Sequence, residues 1–309
     1  MLSPTTKGVY AIAPTPFLED GRIDFASIGH ISELYAAAGC TGITVLGIMG
    51  EALKLDADEA VEVTRAYIRA TTLPVVVGVS SPGFASMKAL ARSAMDLGAA
   101  GVMISAQPSL RTDDDVINYF RNAAEAIGAD TPWIVQDYPL TTNVKMTASV
   151  IERIITDNPN CKMLKAEDWP GLDKLTALRQ SKSERIRDIP ILCGNGALFL
   201  DFEMERGASG SMTGYAFPEM LVDVVRFHQE GQRDAAHDLF DAHLPLLRYE
   251  QQLAITLAVR KYVMQRRGMI ASAAQRKPGS ALTPKARAEV DYLLSRLARL
   301  DPNARPFAA

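Results

Sequence analysis

The sequence predicts an α/β protein, a (β/α)8 barrel followed by a C-terminal helical extension. Three observations carry that prediction. Short apolar or β-branched runs alternate with amphipathic helical patterns from residue 9 to residue 229. The connections between them are short. Eight such units fit into about 230 residues, the size of one closed barrel. Strict β–α alternation demands parallel strands with helices outside. An open doubly wound sheet is the structural alternative, but it would hold fewer strands in one layer.

The elements follow in order. A first strand reads over 9–13 and ends in Pro14-Thr15-Pro16-Phe17, with a turn at Glu19-Asp20-Gly21. Asp24 caps a helix over 25–38, whose stripe is Ile28, Ile31, Leu34 and Tyr35, and Gly39 stops it. The second strand is 42–46. Asp56 starts a helix to 70, and 74–79 is a β-branched strand buried on both faces. After the turn Ser80-Ser81-Pro82-Gly83 a helix runs to 97, and 101–104 is the fourth strand. Thr112 begins a helix to 127, 133–137 is the fifth strand, and Thr147 caps a helix to 157. The sixth strand is 161–165, with a helix over 172–181; the seventh is 189–193, with a short helix over 198–205. Gly210-Ser211-Met212-Thr213 is a weak eighth strand before a helix over 219–229. Gly98-Ala99-Ala100-Gly101 and Gly207-Ala208-Ser209-Gly210 each read as a helix C-cap running into a strand. The barrel is therefore placed at 1–230, carrying the active site, and the extension at 231–309, with helices over 233–247, 250–267 and 284–300. The middle helix has a wide apolar face (Leu253, Ile255, Leu257, Ala258, Tyr262 and Val263) that packs on the barrel or on another subunit.

Composition narrows the function. The chain is 48% hydrophobic and 22% charged with net charge −3, which is ordinary globular composition without a basic surface for nucleic acid or membrane. No run of about 18 apolar residues suggests a membrane span, and residues 1–7 lack a signal-peptide core. Cys40, Cys161 and Cys193 lie in or beside apolar runs without metal-ligand spacing, as small core residues of a reducing compartment. The four histidines sit in helical patterns, and His237 and His243 do not match the i,i+4 metal spacing. The expectation is a cytoplasmic protein with a small-molecule substrate and no metal.

The chemistry begins at Cys161-Lys162-Met163-Leu164-Lys165. Strand side chains alternate faces, so Cys161, Met163 and Lys165 share one face, apolar until it ends on an amine. The alternative is a solvated lysine closing a strand. In a barrel of this type the C-terminal strand ends form the active-site face, and a desolvated lysine there is a nucleophile that condenses with carbonyl compounds. A second candidate is the loop Gly47-Ile48-Met49-Gly50-Glu51, whose glycines let backbone N–H groups of Met49 and Gly50 approach a carboxylate. Its plainer reading is an ordinary loop with Glu51 solvated. A third is Gln136-Asp137-Tyr138-Pro139, where Tyr138 can move protons near the amine or simply pack at the rim. Amine plus carboxylate nest suits a 2-keto acid.

With these residues the chain resembles the dihydrodipicolinate synthase / N-acetylneuraminate lyase family of Schiff-base aldolases. The likeness spans residues 8–300 and rests on Thr15-Pro16-Phe17, Asp24, Gly47 to Glu51, Gly101-Val102, Lys165, Gly194 and Gly207 to Gly210, in matching order. The resemblance implies a Schiff base between Lys165 and a 2-keto acid, usually pyruvate, in a tetramer built of tight dimers, with no metal or organic cofactor. It also implies substrate contacts at Gly194 and at Met212, where a pocket-lining apolar residue is usual. Departures are as informative. The family loop Gly-[Thr/Ser]-Thr-Gly-Glu has Ile48 and Met49 in place of both hydroxyls. The family's strand-five tyrosine is Gln136 here; Tyr138 lies two residues on, on the same strand face, about 6–7 Å along. The arginine that synthases carry two residues after the proline is Thr141. These losses argue against true dihydrodipicolinate synthase activity. They leave a carbon–carbon lyase on a pyruvate-derived enamine, an aldolase or dehydratase for a sugar-derived 2-keto-3-deoxy acid, or a catalytically weak member that binds a keto acid.

Overall fold

The computed structural model describes residue 2, residues 5–181 and residues 187–304; part of the N-terminal stretch read for a signal peptide falls outside them. Eight strands, β1 (Gly8–Ile12), β2 (Gly42–Val45), β3 (Val75–Gly78), β4 (Gly101–Ser105), β5 (Trp133–Asp137), β6 (Cys161–Ala166), β7 (Ile191–Cys193) and β8 (Gly210–Thr213), close into one barrel in chain order. Every neighbouring pair is parallel, including β8 with β1. The helices are α1 (Phe25–Ala37), α2 (Ala57–Ala70), α3 (Phe84–Asp96), α4 (Asp113–Ile127), α5 (Pro139–Thr142), α6 (Ala148–Asp157), α7 (Leu172–Gln180), α8 (Leu200–Glu205), α9 (Pro218–Gln229), α10 (Arg233–Glu250), α11 (Thr256–Arg266) and α12 (Pro284–Leu300). The expected (β/α)8 barrel with helices after it is the observed fold.

Local chemistry sets these boundaries. Asp56 and Thr112 each close a capping box with the acidic residue three positions on, satisfying two orphan N–H groups at a helix start. Asp24 and Thr147 cap α1 and α6 through side-chain oxygens. All residues of β2 and β3 are buried, as parallel strands covered on both faces must be.

The differences from the sequence reading lie at the barrel mouth. Tyr138 is not a strand residue: β5 ends at Asp137, and Tyr138 is the N-cap of α5, whose first residue is Pro139. Four residues are too few to show a helical period, and Pro at the first helical position is the only local signal. In the extension α10 runs through Pro245 to Glu250, and the next helix begins at Thr256 rather than 250. Pro245 removes one helical hydrogen bond, yet Phe240, Leu246, Leu247 and Glu250 are buried on the same helix and hold it. The segment between α10 and α11 contributes Gln251, Leu253 and Ala254 to the cavity that holds Lys165, with Leu253 75% exposed rather than part of a buried face. The cavity at this end is thus built from barrel and extension together.

Candidate active site

Lys165 is the penultimate residue of β6, in register with Gln136 on β5 and Leu192 on β7. It is 5% exposed, and its Nζ lies 3.0 Å from Glu167 Oε2. Glu167 is itself fixed twice more. Gln136 Nε2 donates to Oε2 at 2.6 Å, and the Asn195 backbone N–H donates to Oε1 at 3.1 Å. Gly194 makes this possible, because a Cβ there would overlap the Glu167 carboxyl group. Strand alternation explains why the amine and the carboxylate meet: residues 165 and 167 share a face.

These groups open on a cavity of about 200 Å³ at the C-terminal strand ends. Of the residues singled out in the sequence, Ile48, Met49, Gln136, Tyr138, Thr141 and Lys165 line it. Gly47, Gly50, Gly194 and Met212 do not. Gly194 instead gives Glu167 its space. Met212 is fully buried in register with Tyr10, two residues deeper than the cavity-lining Ile12, and β8 meets the cavity through Thr213 and its successor Gly214. Gly50 accepts the Thr15 hydroxyl through its carbonyl at 2.6 Å. The N–H groups of Met49 and Gly50 make no hydrogen bond among the described residues.

Tyr138 is a further titratable group on the wall. Burial pushes its hydroxyl above the usual tyrosine value and the Glu167 charge pushes the same way, while a hydrogen bond with Thr141 and the Arg260 guanidinium pull it down. Glu167 and Arg260 therefore both act on this phenol. Asp137, between Gln136 and Tyr138 in sequence, points elsewhere. Its carboxylate pairs with Lys174 of α7 at 2.8 Å, and burial, opposed by Lys174, raises its pKa to about 6.

Glu51 is not a solvated loop residue. It is 3% exposed and holds Lys261, Lys54 at 2.7 Å and the Arg276 N–H at 3.1 Å. Its backbone is left-handed, with φ 52°. Lys261 also donates to the carbonyls of Thr15 and Ala274, at 2.9 and 2.8 Å, and stands over the Phe17 ring. The Thr15-Pro16-Phe17 and Glu51 positions thus tie the extension to the barrel.

The sequence reading passed over Glu167, Asn195, Thr213, Gln251 and Arg260, all of which line the cavity. Glu167 had a signal, the alternation from Lys165 carried one step further. Gln251 and Arg260 had none, because their place depends on how the extension crosses the barrel. Among the described residues no group of three His, Cys, Asp or Glu side chains is arranged to hold a metal ion, and no helix is long and apolar enough to cross a membrane.

A (β/α)8 barrel with a buried amine and carboxylate at its C-terminal mouth defines an enzyme whose chemistry sits at the strand ends. The chain belongs to the dihydrodipicolinate synthetase family, whose model matches residues 5–297, and it is a lyase of that family. It is similar to the crystal structure of a dihydrodipicolinate synthase from Rhodopseudomonas palustris, at 61% identity over 96% of this chain and 99% of that one, with a TM-score of 0.94. It is 28% identical to an L-2-keto-3-deoxyarabonate dehydratase from Azospirillum brasilense over 97% of this chain and 96% of the relative. It is also 25% identical to a 4-hydroxy-tetrahydrodipicolinate synthase from Methanothrix thermoacetophila over 78% of this chain and 81% of the relative.

Proposed function

We propose that Lys165 forms a Schiff base with pyruvate or a related 2-keto acid, and that the resulting enamine makes or breaks a carbon–carbon bond. One observation supports this above all: the amine is buried at the mouth of the barrel, faces a cavity, and has Glu167 as its one partner among the described residues. In this reading Glu167 takes a proton from the ammonium group, and the freed nitrogen adds to C2 of the keto acid. The carbinolamine oxygen leaves as water and an iminium remains. Loss of a C3 proton gives the enamine, whose C3 bonds to an aldehyde carbon as that aldehyde's oxygen takes up a proton. Water then hydrolyses the iminium and returns the amine. Glu167 and Tyr138 carry the protons, and the N–H groups of Met49 and Gly50 hold the substrate carboxylate. No metal or organic cofactor takes part.

A second reading is dehydration of a sugar-derived 2-keto-3-deoxy acid. Here the enamine expels the C4 hydroxyl, which leaves with a proton as water. The Glu167 carboxylate beside the amine supports it, since a proton taken from the ammonium group can be passed on to the leaving hydroxyl, and so does the near full-length likeness to a 2-keto-3-deoxyarabonate dehydratase. The test is a panel of keto acids incubated with borohydride and read by intact mass. The expected result is a reduced adduct mapped to Lys165. No adduct with any keto acid would overturn both readings. Adducts without turnover would identify a keto-acid-binding member, and product masses separate bond cleavage from loss of water.

A further inference from the structure

The cavity has a second polar end that the Schiff-base chemistry does not use, and the extension supplies it. Arg260 of α11 lines the cavity, and its Nε donates to the fully buried Glu250 at 2.5 Å. Its two terminal nitrogens make no hydrogen bond among the described residues. They lie between the loops that follow β7 and β8: a Cβ built on Gly196 would sit 3.1 Å from Nη2, and one built on Gly214 would sit 3.3 Å from Nη1. Beside them is Gln251, whose buried Nε2 has no partner. A Cβ on Gly196 would overlap that amide, so only glycine there admits it to the wall.

The arrangement is a set of unused donors. A guanidinium presents five N–H bonds in a fixed plane, and only the Nε bond is taken. A buried amide nitrogen without an acceptor carries a desolvation cost that a ligand oxygen would relieve. Lys165 and Glu167 line the same cavity and make up its reacting end. Glu250 already neutralises much of the Arg260 charge, so the wall offers oriented donors more than net positive charge.

We infer that Arg260 and Gln251 form a distal subsite that binds an acceptor oxygen, hydroxyl or carboxylate, at the end of a 2-keto acid remote from its carbonyl. The inference rests on the Lys165 reading for the orientation of the substrate. It makes a bare three-carbon acid an incomplete ligand and places substrate choice in the extension.

The test compares pyruvate, a 2-keto-3-deoxypentonate with a hydroxylated tail, and 2-ketoglutarate with a carboxylate tail. The measured quantity is the concentration giving half-maximal borohydride-trapped adduct, expressed as each tailed acid's preference over pyruvate. Wild type is expected to prefer at least one tailed acid, and which one identifies the acceptor as hydroxyl or carboxylate. Arg260→Lys keeps a cation for Glu250 but loses the fork, and Gln251→Leu removes the amide without unpairing Glu250. Each should cut that preference, Arg260→Lys by roughly tenfold or more. No preference in wild type, or a preference unchanged in both variants, overturns the subsite. Should no acid be trapped, the Lys165 reading fails by itself and thermal shift decides the subsite. Stabilisation of wild type by a tailed acid and loss of it in Gln251→Leu supports it; no stabilisation of wild type overturns it.

Discussion

Two lysines are buried among the described residues, one on a barrel strand and one on the extension, and their surroundings are opposite. Lys261 is 0% exposed and Lys165 is 5% exposed, so burial alone ranks the wrong one first. The difference is in how their donors are spent. An ammonium group has three N–H bonds. Lys261 gives all three away, to Glu51 and to the carbonyls of Thr15 and Ala274, and the Phe17 ring covers it. Lys165 has one carboxylate partner and a cavity in front of it. A saturated buried cation is a structural pin. An unsaturated one beside a cavity is a candidate site. The same distinction separates Glu51, which closes a network, from Glu167, whose carboxylate stands between an amine and open space.

Exchanging each lysine for methionine breaks the comparison most sharply. Lys165→Met should abolish keto-acid trapping and lower turnover by at least about 10³-fold, as removal of a covalent nucleophile does. Its thermal stability should fall less than in the Lys261 variant: Glu167 loses its cation but keeps the Gln136 amide and the Asn195 N–H and borders the cavity, whereas removing Lys261 strips a donor from three buried acceptors. Lys261→Met should do the reverse. It leaves Glu51 buried with a partner missing, a loss of about 3–5 kcal/mol and a fall in Tm on the order of 10 °C, while the folded fraction still traps a keto acid. Calorimetry and adduct mass on the two variants decide it. A Lys261→Met protein that keeps its stability and loses trapping would reverse the assignment.

Glu167→Gln sharpens the site half of the comparison. The amide keeps an acceptor for the Asn195 N–H, and a turn of the Gln136 amide presents its oxygen to the new NH2, so the fold should hold, but the amide cannot carry a proton. Turnover is expected to fall about 10²-fold, within the range for a general acid–base, with slower adduct formation at a given pH. Tyr138→Phe should cost less than about 10²-fold, the lower end for a general acid–base, because Glu167 remains. An unchanged rate in Tyr138→Phe would remove the phenol from proton transfer.

The sequence makes this fold legible because its signals are local. Caps at Asp24, Asp56, Thr112 and Thr147 all act where their spacing places them, and period and β-branching mark the strands. Lys165 is legible for the same reason, as the last inward residue of an alternating strand. Glu167 follows from that alternation extended two residues. What is hidden is contact between distant parts of the chain. Lys261 reaches Glu51 across 210 positions, and nothing near either residue announces it. Gly47, Gly50, Gly194 and Met212 sit at the loops and strands where a site was expected, but being near the mouth is not the same as facing the cavity. Gly194 shows the physical reason: a residue without a side chain serves the neighbour that fills its space, here Glu167.

The smallest expected effect on activity comes from a half-buried group that lines no part of the cavity. Glu203 of α8 lies against the Cys193 thiol, and burial raises its pKa to about 8 while the thiol's hydrogen bond opposes the rise. A carboxyl whose folded pKa is raised binds its proton more tightly folded than unfolded. Its contribution to stability is present below the unfolded value and is lost as pH rises towards 8. Near pH 7 the group is mostly protonated, so Glu203→Gln replaces a neutral acid by a neutral amide. Turnover should be unchanged; below the unfolded carboxyl pKa the two proteins should differ in stability by less than about 1 kcal/mol, and by pH 7 the variant should be the more stable, because only the wild type's unfolded chain gains from ionising. Between pH 5 and pH 8 the variant's Tm should slope less steeply downward than the wild type's. A large loss of activity would show that a buried group can serve this reaction without reaching the cavity, and the rule drawn from the two lysines would fall with it.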